Sequence, residues 1–129
     1  MATFKTFEDI EAWQRSRELT KAIYEVTSQG TFARDFGLKD LIRKASVSIM
    51  SNIAEGFERS GNKEFIQFLA VAKGSVGEIE SQLYVALDQL YIDESEFVSL
   101  KRCAASTKRL IGGLISYLRG SGMKGVKYK

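Results

Sequence analysis

Closely spaced carboxylates are the first residues able to do chemistry, since Glu55 with Glu58 and Glu78 with Glu80 invite general acid–base work. Glu78 and Glu80, however, stand about 200° apart on a helix and cannot converge on one substrate. Histidine is absent from all 129 residues, which removes the commonest general base near neutral pH and the commonest transition-metal ligand. A di-iron bundle, which needs Glu-x-x-His, falls with it. No strand is expected, so no glycine-rich phosphate loop can follow one. The single cysteine, Cys103, has no internal disulfide partner and sits inside a helical pattern, where a packed thiol is expected. The chain is therefore expected to be no enzyme and to hold no cofactor and no metal.

Cations offer a second chemistry. From Phe97 onward there are eight basic residues and no acidic one, whereas Met1 to Glu96 holds eleven basic against sixteen acidic, so a division of +8 against −5 lies behind the net +3. Lys101, Arg102, Lys108 and Arg109 are expected on one arc of a helix, roughly opposite its apolar stripe, extended by Arg119 and by Lys124, Lys127 and Lys129 of the tail. Such an arc suits the phosphate backbone of RNA or DNA. It also suits a solvated face, or the acidic part of a neighbouring subunit, and no aromatic platform is interleaved with its residues.

Two further stripes point to specific contact. Ser48, Asn52, Glu55 and Arg59 run at helical spacing beside the apolar Ala45, Ile49, Ile53 and Gly56. Serine and asparagine are mediocre helix formers that offer short, fixed hydrogen bonds, so this face is built for contact. Either a network satisfying helix ends and fixing the register of neighbouring helices, or a subunit interface or central channel lining, would use it. Ala70, Gly74, Gly77 and Ser81 form the other stripe. Glycine costs up to about 1 kcal/mol against alanine in a helix interior, so two within a turn imply close approach by another helix, of the same subunit or of a second one.

The run Ser48-Ile49-Met50-Ser51-Asn52-Ile53-Ala54-Glu55-Gly56-Phe57-Glu58-Arg59 resembles the signature of the four-helix-bundle family encoded within intervening sequences of bacterial 23S ribosomal RNA genes. The likeness extends upstream through Leu38, Arg43, Lys44 and Ala45, and downstream through Glu64-Phe65, Phe68-Leu69, Ala72, Gly74-Ser75 and Glu78 to Leu83. Met50 stands where the family often has proline, and Leu41 where it often has glutamine. The resemblance implies a helical bundle and a homo-oligomer, with a pentamer expected. A remoter likeness, to the accessory protein of diversity-generating retroelements, implies binding to nucleic acid and to a protein partner such as a reverse transcriptase.

The elements that must position these residues are helices. Proline is absent, leaving the helical segments without internal breakers. A first helix is expected from about Phe7 to Thr27, with Ala12, Ser16, Leu19, Ile23 and Val26 inward and Thr6 and Asp9 at its start. In the loop that follows, Phe32 and Phe36 are expected to plug the end of the bundle. A second helix is expected from about Leu38 to Glu55, stopped by Gly56 in the left-handed conformation, before a turn at Ser60-Gly61-Asn62. The third carries Phe65, Phe68, Ala72, Val76, Ile79, Leu83, Ala86 and Leu90 on its inner stripe. Asp93 with Glu96 signals the start of a fourth, reaching Leu118 with Phe97, Leu100, Ala104, Thr107, Ile111, Leu114 and Leu118 inward. These patterns predict an all-α fold, an antiparallel up-down-up-down left-handed four-helix bundle over residues 1–119, with a flexible basic tail over 120–129. No apolar run approaches the length of about 20 residues that a membrane helix needs. Residues Met1 to Asp9 lack the apolar core of a signal peptide, so a cytoplasmic protein without a membrane partner is expected.

Overall fold

Each apolar stripe finds its partner. In the computed structural model, which describes residues 4–121, four helices enclose one core: α1 (Glu11–Thr27), α2 (Phe36–Glu58), α3 (Asn62–Asp88) and α4 (Glu94–Ser121), with short 3₁₀ turns at Phe7–Asp9 and Phe32–Arg34. Leu19, Ile23, Ile42, Ile49, Ile53, Leu69, Val76, Ile79, Leu83 and Ile111 are fully shielded from solvent. Burying each such side chain contributes about 1.5–3 kcal/mol, the main force holding the bundle together. Contacts give the order of packing. Thr20 donates to the Ser46 carbonyl, Ser48 reaches Ser75, and Lys108 reaches Glu80, so α1 packs on α2, α2 on α3, and α3 on α4.

Helix ends depart from the sequence expectation where local chemistry wins. The first helix is split, because the Asp9 carboxylate accepts from the Lys5 and Thr6 backbone amides and closes a separate 3₁₀ turn before α1 starts. Helix α2 is longer at both ends than expected. At its start, Asp35 accepts from the Leu38 amide at 3.0 Å and caps it. Farther on, Gly56 does not stop the helix, which continues to Glu58. Its glycine serves close packing instead, since a β carbon there would lie 2.7 Å from the β carbon of Phe68.

Leu90 is not part of the inner stripe. It is 84% exposed with φ of 62°, taking the left-handed position of a C-terminal turn in which the Tyr91 amide bonds back to the Ala86 carbonyl. The chain reversal turns Ile92, 3% exposed, into the core in its place. Of the two loop phenylalanines, Phe32 plugs the bundle end, fully buried and stacked on Tyr91 at 5.1 Å, while Phe36 is 69% exposed. Asp93 and Glu96 cap α4 reciprocally as expected, at 2.9 and 2.7 Å. That helix extends beyond Leu118 through Gly120 and Ser121, both assigned to the tail from sequence, because propagating an existing helix costs little. No helix among the described residues is long and apolar enough to cross a membrane.

Candidate nucleic-acid interface

Helix α4 turns Leu100, Ala104, Thr107, Ile111, Ile115 and Leu118 inward, which fixes where its cations can point. The expected single basic arc divides in two. Lys101 and Lys108, seven residues apart, share the flank facing α3, whereas Arg102 and Arg109 lie about 100° farther round. Lys101 Nζ sits 4.9 Å from the centre of the Tyr84 ring, and Lys108 Nζ is 2.7 Å from Glu80 Oε1. Arg102 lines a shallow hollow with Glu94, and Arg109 one with Glu11, so each arginine shares its surroundings with a carboxylate. Lys124, Lys127 and Lys129 lie outside the described residues.

Along the seam between α3 and α4 the charge is more concentrated. Lys73 of α3 joins Lys108 and Arg119 of α4 around an open groove of about 480 Å³, with Gly74, Gly112 and Ser116 also lining it. A β carbon at Gly74 or Gly112 would meet nothing within 4 Å, so these glycines keep the groove wide. Toward its other end the seam carries Tyr84, 51% exposed and held edge-on by Phe97 at 4.9 Å. An aromatic platform therefore does stand beside the basic residues. Sequence reading missed it because Tyr84 belongs to α3 and Lys101 to α4, and only packing makes them neighbours.

The polar stripe of α2 faces α3. Ser48 Oγ lies 3.1 Å from Ser75 Oγ, and Asn52 Nδ2 donates to both the carbonyl and the hydroxyl of Ser48 at 2.8 and 3.0 Å. Arg59 pairs with Glu55 at 2.8 Å, approaches Glu64 at 3.8 Å and covers the Phe68 ring at 5.0 Å. These contacts favour the register-fixing role, since they tie α2 to the start and middle of α3. Arg43 has a different task. It donates to Thr27 Oγ1 and Ser28 Oγ and stacks 4.3 Å over Tyr24, so its charge meets the negative C-terminal end of α1.

Gly77, like Gly74, has open space where a side chain would be, so no helix of the same chain accounts for the small-residue stripe. Glu78 is exposed beside it. A second surface of note combines exposed Leu41, Val71 and Val85 on α2 and α3 with Gln82, whose buried Oε1 has no hydrogen-bond partner. The Cys103 thiol is half-buried, and desolvation raises its pKa, which disfavours the reactive thiolate. Among the described residues, no group of three or more His, Cys, Asp or Glu is placed to hold a metal ion.

Comparison with known proteins gives the chain its family. Residues 8–113 match the family model described as the 23S rRNA-intervening sequence protein. The fold is similar to the crystal structure of a protein of unknown function from the S23 ribosomal protein family of Bacteroides thetaiotaomicron, with a TM-score of 0.73, 21% identity, and coverage of 81% of this chain and 97% of that one. No curated protein matches. With most of its length covered by that model, the chain belongs to the 23S rRNA-intervening sequence protein family.

Proposed function

We propose that the protein is a non-enzymatic homo-oligomer that binds RNA or DNA through the basic seam of α3 and α4. The observation that carries this is the meeting of Lys101 with the exposed Tyr84 ring, in line with Lys108, Lys73 and Arg119. Cations track phosphates, and an exposed ring offers a base a stacking surface. Assembly is supported by the open side of Gly77, where no helix of the same chain packs. Five subunits follow from the family resemblance, and repeating the seam in an oligomer would raise affinity by avidity.

Binding of purified protein to generic RNA and DNA, followed across a salt series, tests the proposal. Neutralising about four phosphates per subunit gives a slope of roughly −3 to −4 in the logarithm of affinity against the logarithm of salt. Absence of salt-sensitive binding at low ionic strength overturns it. The alternative is a protein–protein adaptor or scaffold without nucleic-acid binding, for a partner such as a reverse transcriptase, and it would draw on exposed Leu41, Val71 and Val85 together with Gln82, whose buried Oε1 has no hydrogen-bond partner. Binding through that face would persist at high salt.

A further inference from the structure

We infer that the α3/α4 groove is a track for single-stranded nucleic acid, selected over duplex; this rests on the nucleic-acid function proposed above. Width and charge favour one strand. The groove floor is lined by Gly74 and Gly112, neither of which would bring a side chain near another atom, so a sugar-phosphate chain can lie between the helices. Lys73 rises from the α3 side, Lys108 and Arg119 from the α4 side, and Ser116 adds a hydroxyl donor. Lys108 and Arg119 are eleven residues apart on one helix, about 16 Å of rise, so cations recur along the track.

Tyr84 supplies the selectivity. It lies one turn beyond Glu80 on α3, hence on the same line as the Glu80–Lys108 pair, and its ring is half exposed while Phe97 and Lys101 hold it in place. A base can stack on that ring only if it is free of its own helix, which a single strand allows and a duplex does not. Glu80 is the carboxylate that meets this line of cations, and Lys108 pairs with it at 2.7 Å. Arg102 and Arg109 face other hollows and contribute only at long range.

The test compares a short oligothymidylate with a duplex of equal phosphate number, by fluorescence anisotropy across a salt series, with the preference read at its lowest concentration and light scattering to confirm that each variant keeps its mass. The wild-type chain is expected to favour the single strand by about 10-fold, and Tyr84→Ala to erase that preference. Gly112→Leu, which fills the groove without changing charge, is expected to weaken single-strand binding about 10-fold, and Lys73→Ala with Arg119→Ala to reduce the salt slope by about 1.4. Arg102→Ala with Arg109→Ala is the control and should leave the preference intact. Should Gly112→Leu alter the assembly, the Lys73 and Arg119 pair decides whether phosphate follows this groove, and Tyr84→Ala decides the preference for a single strand. Equal affinity for both probes, unchanged by Tyr84→Ala, overturns the single-strand track while leaving general nucleic-acid binding standing. Loss of salt-sensitive binding to both probes overturns the two together.

Discussion

Gly56 and Phe68 are so close that a β carbon on Gly56 would stand 2.7 Å from that of Phe68, with the Phe65 ring a further 3.0 Å neighbour. Neither obstacle is the loose end of a flexible chain. Gly56→Ala must therefore push α2 and α3 apart at the end where they join. The expected cost is about 1–3 kcal/mol, read from chemical denaturation. A variant as stable as the wild type would mean that the helices relax freely there.

This glycine also marks what the sequence could and could not reveal. Period and capping signals were legible: the inward stripe of α1 and, apart from the half-buried Phe68, that of α3 up to Ala86 are buried, and the Asp93–Glu96 capping box forms. Gly56, however, has the same letter whether it ends a helix or admits a neighbour, and only the approach of Phe68 tells which. Leu90 fitted the period yet lies in a left-handed turn, where chain reversal outweighed the stripe. The site was half legible for a related reason. Charge segregation pointed to α4, but the pairing of Lys101 with Tyr84 and of Lys108 with Glu80 arises across helices far apart in sequence.

Arg59 and Arg43 should differ in stability tests although both belong to the family-like segment. The side chains of Arg59 and Glu55 are 44% and 53% exposed, so solvent screens their pair. Arg59→Ala or Glu55→Ala is expected to change stability by no more than about 1 kcal/mol. Arg43→Ala strips the Thr27 and Ser28 hydroxyls of a charged partner at the end of α1 and should cost about 1–3 kcal/mol. Thermal melts in parallel check the order, and a larger loss for Arg59→Ala would place the Glu55 pair inside an assembly interface.

The oligomer itself is expected to show in light scattering as several times the 14.4 kDa of one chain. Because a side chain at position 77 would meet nothing within the protomer, Gly77→Leu should preserve helical content while reducing the assembled mass. A wild-type mass of one chain at micromolar concentration would refute assembly.

Acid should loosen the junction of α2 with the turn before α4. Asp35 accepts from the Leu38 amide and from the Tyr91 hydroxyl, contacts that lower its pKa from the ordinary carboxylate value and raise that of Tyr91. A carboxylate with a depressed folded-state pKa stabilises the fold above its unfolded value, about 3.9, and loses that contribution as pH falls through the folded one. Asp35→Asn keeps an acceptor at the cap but does not titrate. Its melting temperature should fall less steeply than that of the wild type below about pH 4. Parallel acid profiles would show that the Asp35 charge adds nothing beyond the cap.

Glu80 gives the sharpest control over the basic seam. Its carboxylate, with a side chain 16% exposed, holds Lys108 Nζ at 2.7 Å, so part of that cation's charge is spent within the protein. Glu80→Gln releases it while keeping the side chain's size. Bound phosphate would then meet a more positive seam, so affinity for nucleic acid should rise and the salt slope should steepen by about 0.7–0.9. Lys108→Gln acts in the opposite direction, flattening the slope, and also leaves Glu80 partly buried without its cation, which should cost about 1–3 kcal/mol of stability. Lys101→Gln should weaken binding with a smaller loss of stability, about 0.5–1 kcal/mol, because its contact with the Tyr84 ring is more exposed. Salt titrations of the three variants on one RNA probe measure these shifts together. If Glu80→Gln and Lys108→Gln bound with the same slope as the wild type, phosphate would not be contacting this seam, and the exposed apolar face of α2 and α3 would become the interaction surface to probe next.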